Sequence, residues 1–393
     1  MSTGGISPNL LAIVIASFLQ ATATGVLFSV LPFYGLALGA AAWQVTLLYS
    51  AFALGRFVSE PLWGRLSDRI GRRPVLVSTL LMSGVSIAAL VLCQSIWAAV
   101  AIRLAAGLIS GNVSTFQAFI IGESSEHRAR NIGYLGASQS IGYVIGPLTV
   151  GVLSHGGAGV SAFSVALTSS AAAVALGGLI VALFVRHGAK SAENAQIEKK
   201  TALRLDVTLL LVGSISLVSA FSFAGLDGVF GLWAKDRFGW GPTEFGRIIM
   251  TYGVISALSQ GVLLQRVSRV MEPIRVLRMG FLVVSAGMAL LAIASTLPVA
   301  AAAILIISVG TGLVLPSIPM MTVRAIPSPE HQGAALGLVQ AVSAVAGIAA
   351  PAAIGIFYSA TGPGMVLGAC AVLCFAAMTI PLKITRIRVA GAA

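Results

Sequence analysis

The stretch Gly64-Arg65-Leu66-Ser67-Asp68-Arg69-Ile70-Gly71-Arg72-Arg73-Pro74 decides how the chain is read. It sets four arginines and one aspartate between two long apolar runs, in a chain only 9% charged. Basic loops collect on the cytoplasmic side of membrane proteins, which accounts for the arginines. It does not account for an aspartate between glycines at a fixed spacing. Gly64 and Gly71 allow a tight turn and a close approach to a neighbour. Asp68 is expected to be buried and to accept hydrogen bonds from backbone N–H groups at a helix N-terminus, where the helix dipole favours an anion.

The flanking composition sets the class. Of the 393 residues, 57% are hydrophobic, where a soluble domain would carry roughly 25% charged residues. The apolar runs do not alternate and are ~20 residues long, so they are read as transmembrane helices. Twelve spans are expected, at about 8–34, 43–63, 75–93, 96–122, 131–154, 160–185, 207–233, 243–265, 275–296, 299–323, 332–358 and 364–385. The first run lacks a basic leader and is too long for a signal sequence. With both termini cytoplasmic, all but five of the 24 Lys and Arg fall inside; Lys235, Arg237 and Arg247 fall outside, and Arg56 and Arg103 within spans. That asymmetry sets the orientation, so the net charge of +12 is read as membrane topology and not as nucleic-acid binding. Cys93, Cys370 and Cys374 lie in apolar runs without a nearby His or carboxylate and are read as small apolar residues, with no metal and no cofactor.

The halves repeat. An offset of 204 residues lays Glu126-His127 on Glu330-His331, Gly133 on Gly337, Pro147 on Pro351, Gly151 on Gly355 and Asp68 on Glu272. Such a duplication implies a six-helix bundle over 1–186, a cytoplasmic linker over 187–206 and a second bundle over 207–393, with a substrate site near the midplane.

Five groups of residues inside the spans carry chemistry. Gly142, Gly146, Pro147 and Gly151 make span five a close-packing, kinked helix. Arg103 is the sharpest intramembrane charge, costing about 2.5–3.5 kcal/mol on insertion scales unless paired; it begins Arg103-x-x-x-Gly107-x-x-x-Gly111. Asp227 lies deep in span seven between glycines, where it is either a proton carrier or an ionised group near the outer mouth. Glu60 shares a face with Arg56, four residues earlier, and an intrahelical ion pair is the simpler reading beside a coupling role. Gln20, Arg56, Asn112, Phe116, Gln139, Tyr143, Phe223, Gln260 and Gln340 supply polar groups and aromatic walls for a cavity, or helix–helix contacts.

The opening stretch resembles the loop between the second and third helices of the major facilitator superfamily, G-x-L-x-D-[RK]-x-G-[RK]-[RK], at every fixed position. The resemblance implies an all-α fold of twelve transmembrane helices in two pseudo-symmetric six-helix bundles. The span-five run resembles a motif that marks proton-coupled exporters, and the chain looks most similar to drug:proton antiporters of the tetracycline and multidrug group. What this implies is export of small amphipathic molecules by alternating access. Asp227, Arg103 and Glu60 would serve proton coupling. Gly64, Asp68, Arg69, Gly71, Arg72 and Arg73, with Glu123 and Arg130, would form a cytoplasmic gate. The partners would be substrate, protons and lipid, the protein a monomer in the bacterial inner membrane, and not an enzyme. Span one departs from many cation exporters in having no carboxylate. The other reading is a proton-linked importer or uniporter of a sugar, organic anion or siderophore, to which Arg56 and Arg103 would suit an anion.

Overall fold

A computed structural model describes residues 7–123, 128–153, 159–185, 207–326 and 329–380. Its helices are α1 (Pro8–Ala37), α2 (Ala42–Ile70), α3 (Arg72–Val91), α4 (Ile96–Ile109), α5 (Asn112–Glu123), α6 (Arg128–Leu153), α7 (Ser164–Phe184), α8 (Val207–Phe238), α9 (Pro242–Leu258), α10 (Leu264–Val267), α11 (Pro273–Ile293), α12 (Leu297–Ala325), α13 (Pro329–Thr361) and α14 (Pro363–Ala377). α4 and α5 form one span broken at Ser110-Gly111, and a π-helical turn, Ser259–Leu263, joins α9 to α10. Counted so, twelve helical segments run through the described residues, which contain no strand. Eight are long and apolar enough by length and composition to cross a membrane. Large apolar side chains such as Val85, Leu183 and Ile293 stand exposed, as lipid-facing surface does.

Local chemistry explains the helix ends. Ser7 caps α1 by accepting from the Leu10 N–H at 3.1 Å, with Pro8 at the first helical position. α1 and α8 each stop before a glycine in the left-handed region, Gly39 (φ 75°) and Gly239 (φ 67°). The next helices open alike: the Gln44 side chain accepts from the Ala41 N–H at 2.9 Å, and Glu244 from the Gly241 N–H at 3.0 Å. At these corners the repeat runs at an offset of 200 residues. The offset of 204 belongs to α6 and α13, four residues having entered between. The pairs Glu126-His127 and Glu330-His331 lie outside the residues or side chains described, as does the linker at 187–206.

The chain divides into two compact units. The first comprises Met1–Ala40, Ala51–Lys200 and Gly241–Met250, and the second Ala41–Ser50, Thr201–Trp240 and Thr251–Ala393. The first turns of α2 and α9 have therefore changed places relative to the sequence halves. In the first unit, α1 packs along α6 and α7, and a hydroxyl pair, Ser17–Ser138, links α1 to α6 at 2.8 Å. In the second, α8 packs along α13, and Ser216–Ser343 makes the corresponding bond at 2.5 Å.

The quoted stretch is not a loop. Gly64–Ile70 form the last two turns of α2, Gly71 (φ 97°) makes the whole turn, and Arg72 begins α3. A continuous helix satisfies the backbone groups that a loop would have to pair elsewhere.

Candidate functional site

A stripe on α2 builds the centre of the first unit. Phe52, Gly55, Arg56, Ser59 and Trp63 recur at helical spacing and share one face. Against them α4 brings Arg103, Gly107 and, past its end, Gly111. The two backbones touch: a Cβ on Gly107 would lie 2.2 Å from the Phe52 carbonyl oxygen, and one on Gly55 2.4 Å from that of Leu104. Only glycine permits this approach. The Ser59 hydroxyl donates to the Gly107 carbonyl at 2.9 Å, across the seam.

The break in the fourth span is filled by α2 as well. Where α4 stops, the Leu108 carbonyl accepts from the Trp63 indole Nε1–H at 2.8 Å. The ring lies so close to Gly111 that a Cβ there would come within 2.3 Å of Trp63 Cγ. Asn112 follows, 1% exposed, with its Oδ1 lacking a hydrogen-bond partner. A buried acceptor left so costs about 1–3 kcal/mol.

Arg103 is 8% exposed, and its guanidinium carbon stands 4.3 Å from the centroid of the Phe52 ring. The negative face of the ring offsets part of the desolvation, a cation–π contact contributing about 2 kcal/mol when water is excluded. Arg56 and Glu60 form the i,i+4 ion pair at 2.7 Å, with side chains 42% and 36% exposed. At that exposure the pair contributes only about 0.3–0.5 kcal/mol, so either partner is cheap to release to a ligand. The Arg56 charge also acts on Tyr143 of α6, whose side chain is half exposed. A cation and a carboxylate thus stand together, partly open, one turn from Phe52, on whose ring the buried Arg103 rests.

The α1–α6 seam uses the span-five glycines as expected of close packing. A Cβ on Gly142 would lie 2.7 Å from the Phe18 carbonyl, and one on Gly146 2.4 Å from that of Thr22. The Pro147 carbonyl lies against Gly246, where a Cβ would come within 2.3 Å. Gly151 lies in the last turn of α6.

Other expected residues are placed differently. Asp68 is exposed in the C-terminal turns of α2, not buried at a helix N-terminus. Gly64 has nothing within 4 Å of its would-be Cβ, so no close approach requires it. Arg69 complements the dipole at the end of α2. Arg72 opens α3, and Arg73 donates through Nη2 to the Ala182 carbonyl at 2.5 Å, near the end of α7. Arg130 is exposed near the start of α6. Phe116 is 0% exposed and Asn112 is buried, so both are interior groups of the first unit and neither walls an open cavity. Gln20, Gln139 and Phe223 are half-buried. Gln340 and Gln260 are exposed, the latter in the π turn with its Nε2 3.4 Å from Ser256 Oγ. Asp227 in α8 and Glu123 at the end of α5 lie outside the described side chains.

Sequence reasoning missed Phe52, Ser59 and Trp63. Their signal was the α2 stripe at helical spacing, masked because only its charged members drew notice.

Comparison with known proteins bears on the same residues. A sequence model described as the Major Facilitator Superfamily matches residues 13–328 and 212–391. The class C tetracycline resistance protein of Escherichia coli is 27% identical over 80% of this chain and 80% of its own. The class G protein of Vibrio anguillarum is 29% identical over the same shares. Among solved structures, a bacterial homolog of the human lysosomal transporter Spinster, inward-facing and occupied, superposes with a TM-score of 0.84 at 16% identity, covering 97% of this chain and 98% of that one. The human organic anion transporter MFSD10 (TETRAN) gives 0.69 at 20% identity, covering 95% and 99%.

Proposed function

The chain belongs to the Major Facilitator Superfamily, a family of membrane transporters and not of enzymes, and from that premise we propose that it exports small amphipathic molecules in exchange for protons. The observation that carries this reading is the α1–α6 seam. Gly142 and Gly146 let α6, with Pro147 inside it, lie backbone to backbone on α1. Matching helices that each carry an internal proline, Pro147 and Pro351, suit a transporter that alternates between two states. The similarity to tetracycline resistance proteins over 80% of the chain supports the same direction and makes tetracyclines the first probe.

In this mechanism Asp227 exchanges the proton, and substrate binding and protonation alternate. Arg103, held against Phe52, serves the coupling as a fixed positive charge within the first unit. Substrate meets the partly open group of Arg56, Glu60 and Tyr143. Each ligand drives the switch only through its different affinity for the two states. In this reading the protein works as a monomer in the bacterial inner membrane with both termini cytoplasmic. Asp68, Arg69, Glu123 and Arg130 serve there as the cytoplasmic gate.

Proton release on adding tetracycline to purified protein in detergent tests the reading. Wild type is expected to release about one proton per bound drug, and Asp227→Asn none. Equal release by both would remove Asp227 from the mechanism and pass the role to Glu60 or Glu123. A second reading, symport or facilitated passage of a metabolite anion, is favoured by the exposed face of Arg56, a cation open to an anionic ligand. Proton uptake on adding an organic anion, with no response to drugs, would establish it in place of export.

A further inference from the structure

Cys370 and Cys374 stand one turn apart on α14, and that face packs into α11 and α8 of the second unit. The Cys374 Sγ lies 4.0 Å from the Sδ of Met288 on α11. All three residues are buried, at 2%, 0% and 0% exposure. Ser222 of α8 is also fully buried. Its hydroxyl comes up beside the Cys374 thiol without completing an aligned hydrogen bond to any described group. We propose that Cys374, Met288 and Cys370 form a binding site for one soft monovalent metal ion, of the Cu(I) or Ag(I) class, inside the α8–α11–α14 core.

Geometry and donor chemistry both select this class. Three sulfurs around an ion at bond lengths of about 2.3 Å are about 4.0 Å apart when the set is trigonal. The Cys374–Met288 sulfur separation matches that spacing, and Cys370 offers the third sulfur one turn away on the same helix. Thiol and thioether donors prefer soft ions; hard cations want oxygen ligands, and zinc wants four nitrogen or sulfur ligands. Charge balance assigns the protons. Cys374 loses its thiol proton to solvent as its sulfur–metal bond forms. Met288 donates a lone pair with no proton change, and Cys370, which keeps its proton, is a weak third donor beside them. The ion and one thiolate sum to zero, so no net charge is left in the core. The Ser222 hydroxyl then has an anion to donate to. A groove of about 720 Å³ runs along the same α11–α14 seam, past Ser285, Ala289, Ala371 and Phe375, and ends short of the three sulfurs, so loading requires the seam to open. The bound ion would tie α14 to α11, independently of substrate or proton binding.

The experiment uses the full-length protein carrying Cys93→Ser, so that the remaining thiols are the two of the site. Cu(I) is titrated without oxygen against a coloured Cu(I) chelator, and retained copper and released protons are counted. One ion and one proton per chain are expected. Cys374→Ala should retain none. Met288→Leu, which conserves volume and should melt normally, should weaken retention on the order of 10-fold. Loss of all copper to the chelator by the parent protein would overturn the site. So would undiminished retention by Met288→Leu, since buried sulfurs that merely pack are indifferent to that change.

Discussion

Two seams of the molecule start from the same plan and end differently. In the first unit α2 lies on α4, and Ser59 donates to the Gly107 carbonyl at 2.9 Å. In the second α9 and its π turn lie on α12, and Ser259 donates to the Val309 carbonyl at the same 2.9 Å. Beyond that bond they part. The first unit breaks its fourth span at Ser110-Gly111, fills the break with Trp63 and holds Arg103 on Phe52. The second keeps α12 whole through Leu297–Ala325 and puts the irregular turn in the partner helix at Ser259–Leu263. Ile307, the sequence counterpart of Arg103, is 1% exposed and packs on α11, where a Cβ on Gly287 would come within 2.7 Å of its Cγ1. The charge and the broken helix occur together. A cation buried among side chains needs groups that can reorganise around it, and an interrupted helix provides backbone polar groups that a whole one keeps to itself. The apolar seam has no such need.

The largest effect should come from Gly107. In Gly107→Val the new side chain starts 2.2 Å from a backbone oxygen that cannot move away. Overpacking of this kind costs about 3 kcal/mol, and helix α4 must separate from α2. Poor yield and a melting temperature several degrees lower are expected. Gly133→Ala in α6, with nothing within 4 Å, should melt within error of wild type. If both melt alike, the seam is not as close as described. A smaller effect is expected from the cation–π pair. Phe52→Leu keeps the apolar volume but removes the ring face under Arg103, at a cost of about 1–2 kcal/mol. Arg103→Met should melt near wild type yet lose proton-driven transport. Transport by Arg103→Met equal to wild type would make Arg103 a packing residue and leave the two seams equivalent in function.

Much of this architecture could be read from the residues before any coordinates. The spans were legible because apolar runs of membrane-crossing length have few alternatives. Gly142 and Gly146 were legible as close-packing positions because glycine at one-turn spacing makes a smooth face, whereas Gly107 stood out only as part of the motif that Arg103 begins. What was lost is what composition hides. The stretch from Gly64 to Ile70 was read as a loop because its charges look soluble, yet a helix can project beyond the membrane with its polar residues in water. The break at Ser110-Gly111 left no proline to mark it, and only the distant Trp63 explains how it is filled. Residue type leaves Asn112 and Phe116 open between cavity wall and helix contact, because facing direction, not type, decides burial. The offset of 204, which lays Pro147 of α6 on Pro351 of α13, concealed the offset of 200 at the corners after Gly39 and Gly239.

The smallest expected effect is the most direct test of the shared plan. Ser59→Ala and Ser259→Ala each remove one hydroxyl that crosses a seam to a backbone carbonyl. Hydrogen bonds between membrane helices contribute about 0.6 kcal/mol on average, because the freed groups find other partners. Each variant should therefore melt only slightly below wild type, and the two shifts should agree. Neither hydroxyl carries charge, so transport should persist in both. A markedly larger loss for Ser59→Ala would mean that the first seam, with its broken helix, relies on this bond to hold α4 in place. Its freed carbonyl would then lie one turn from the break, where a water could enter and extend it. A larger loss for Ser259→Ala would instead assign that dependence to the π turn, whose one extra residue leaves its own hydrogen bonds misaligned. Equal shifts would show that the seams differ in what they hold and not in how they are fastened.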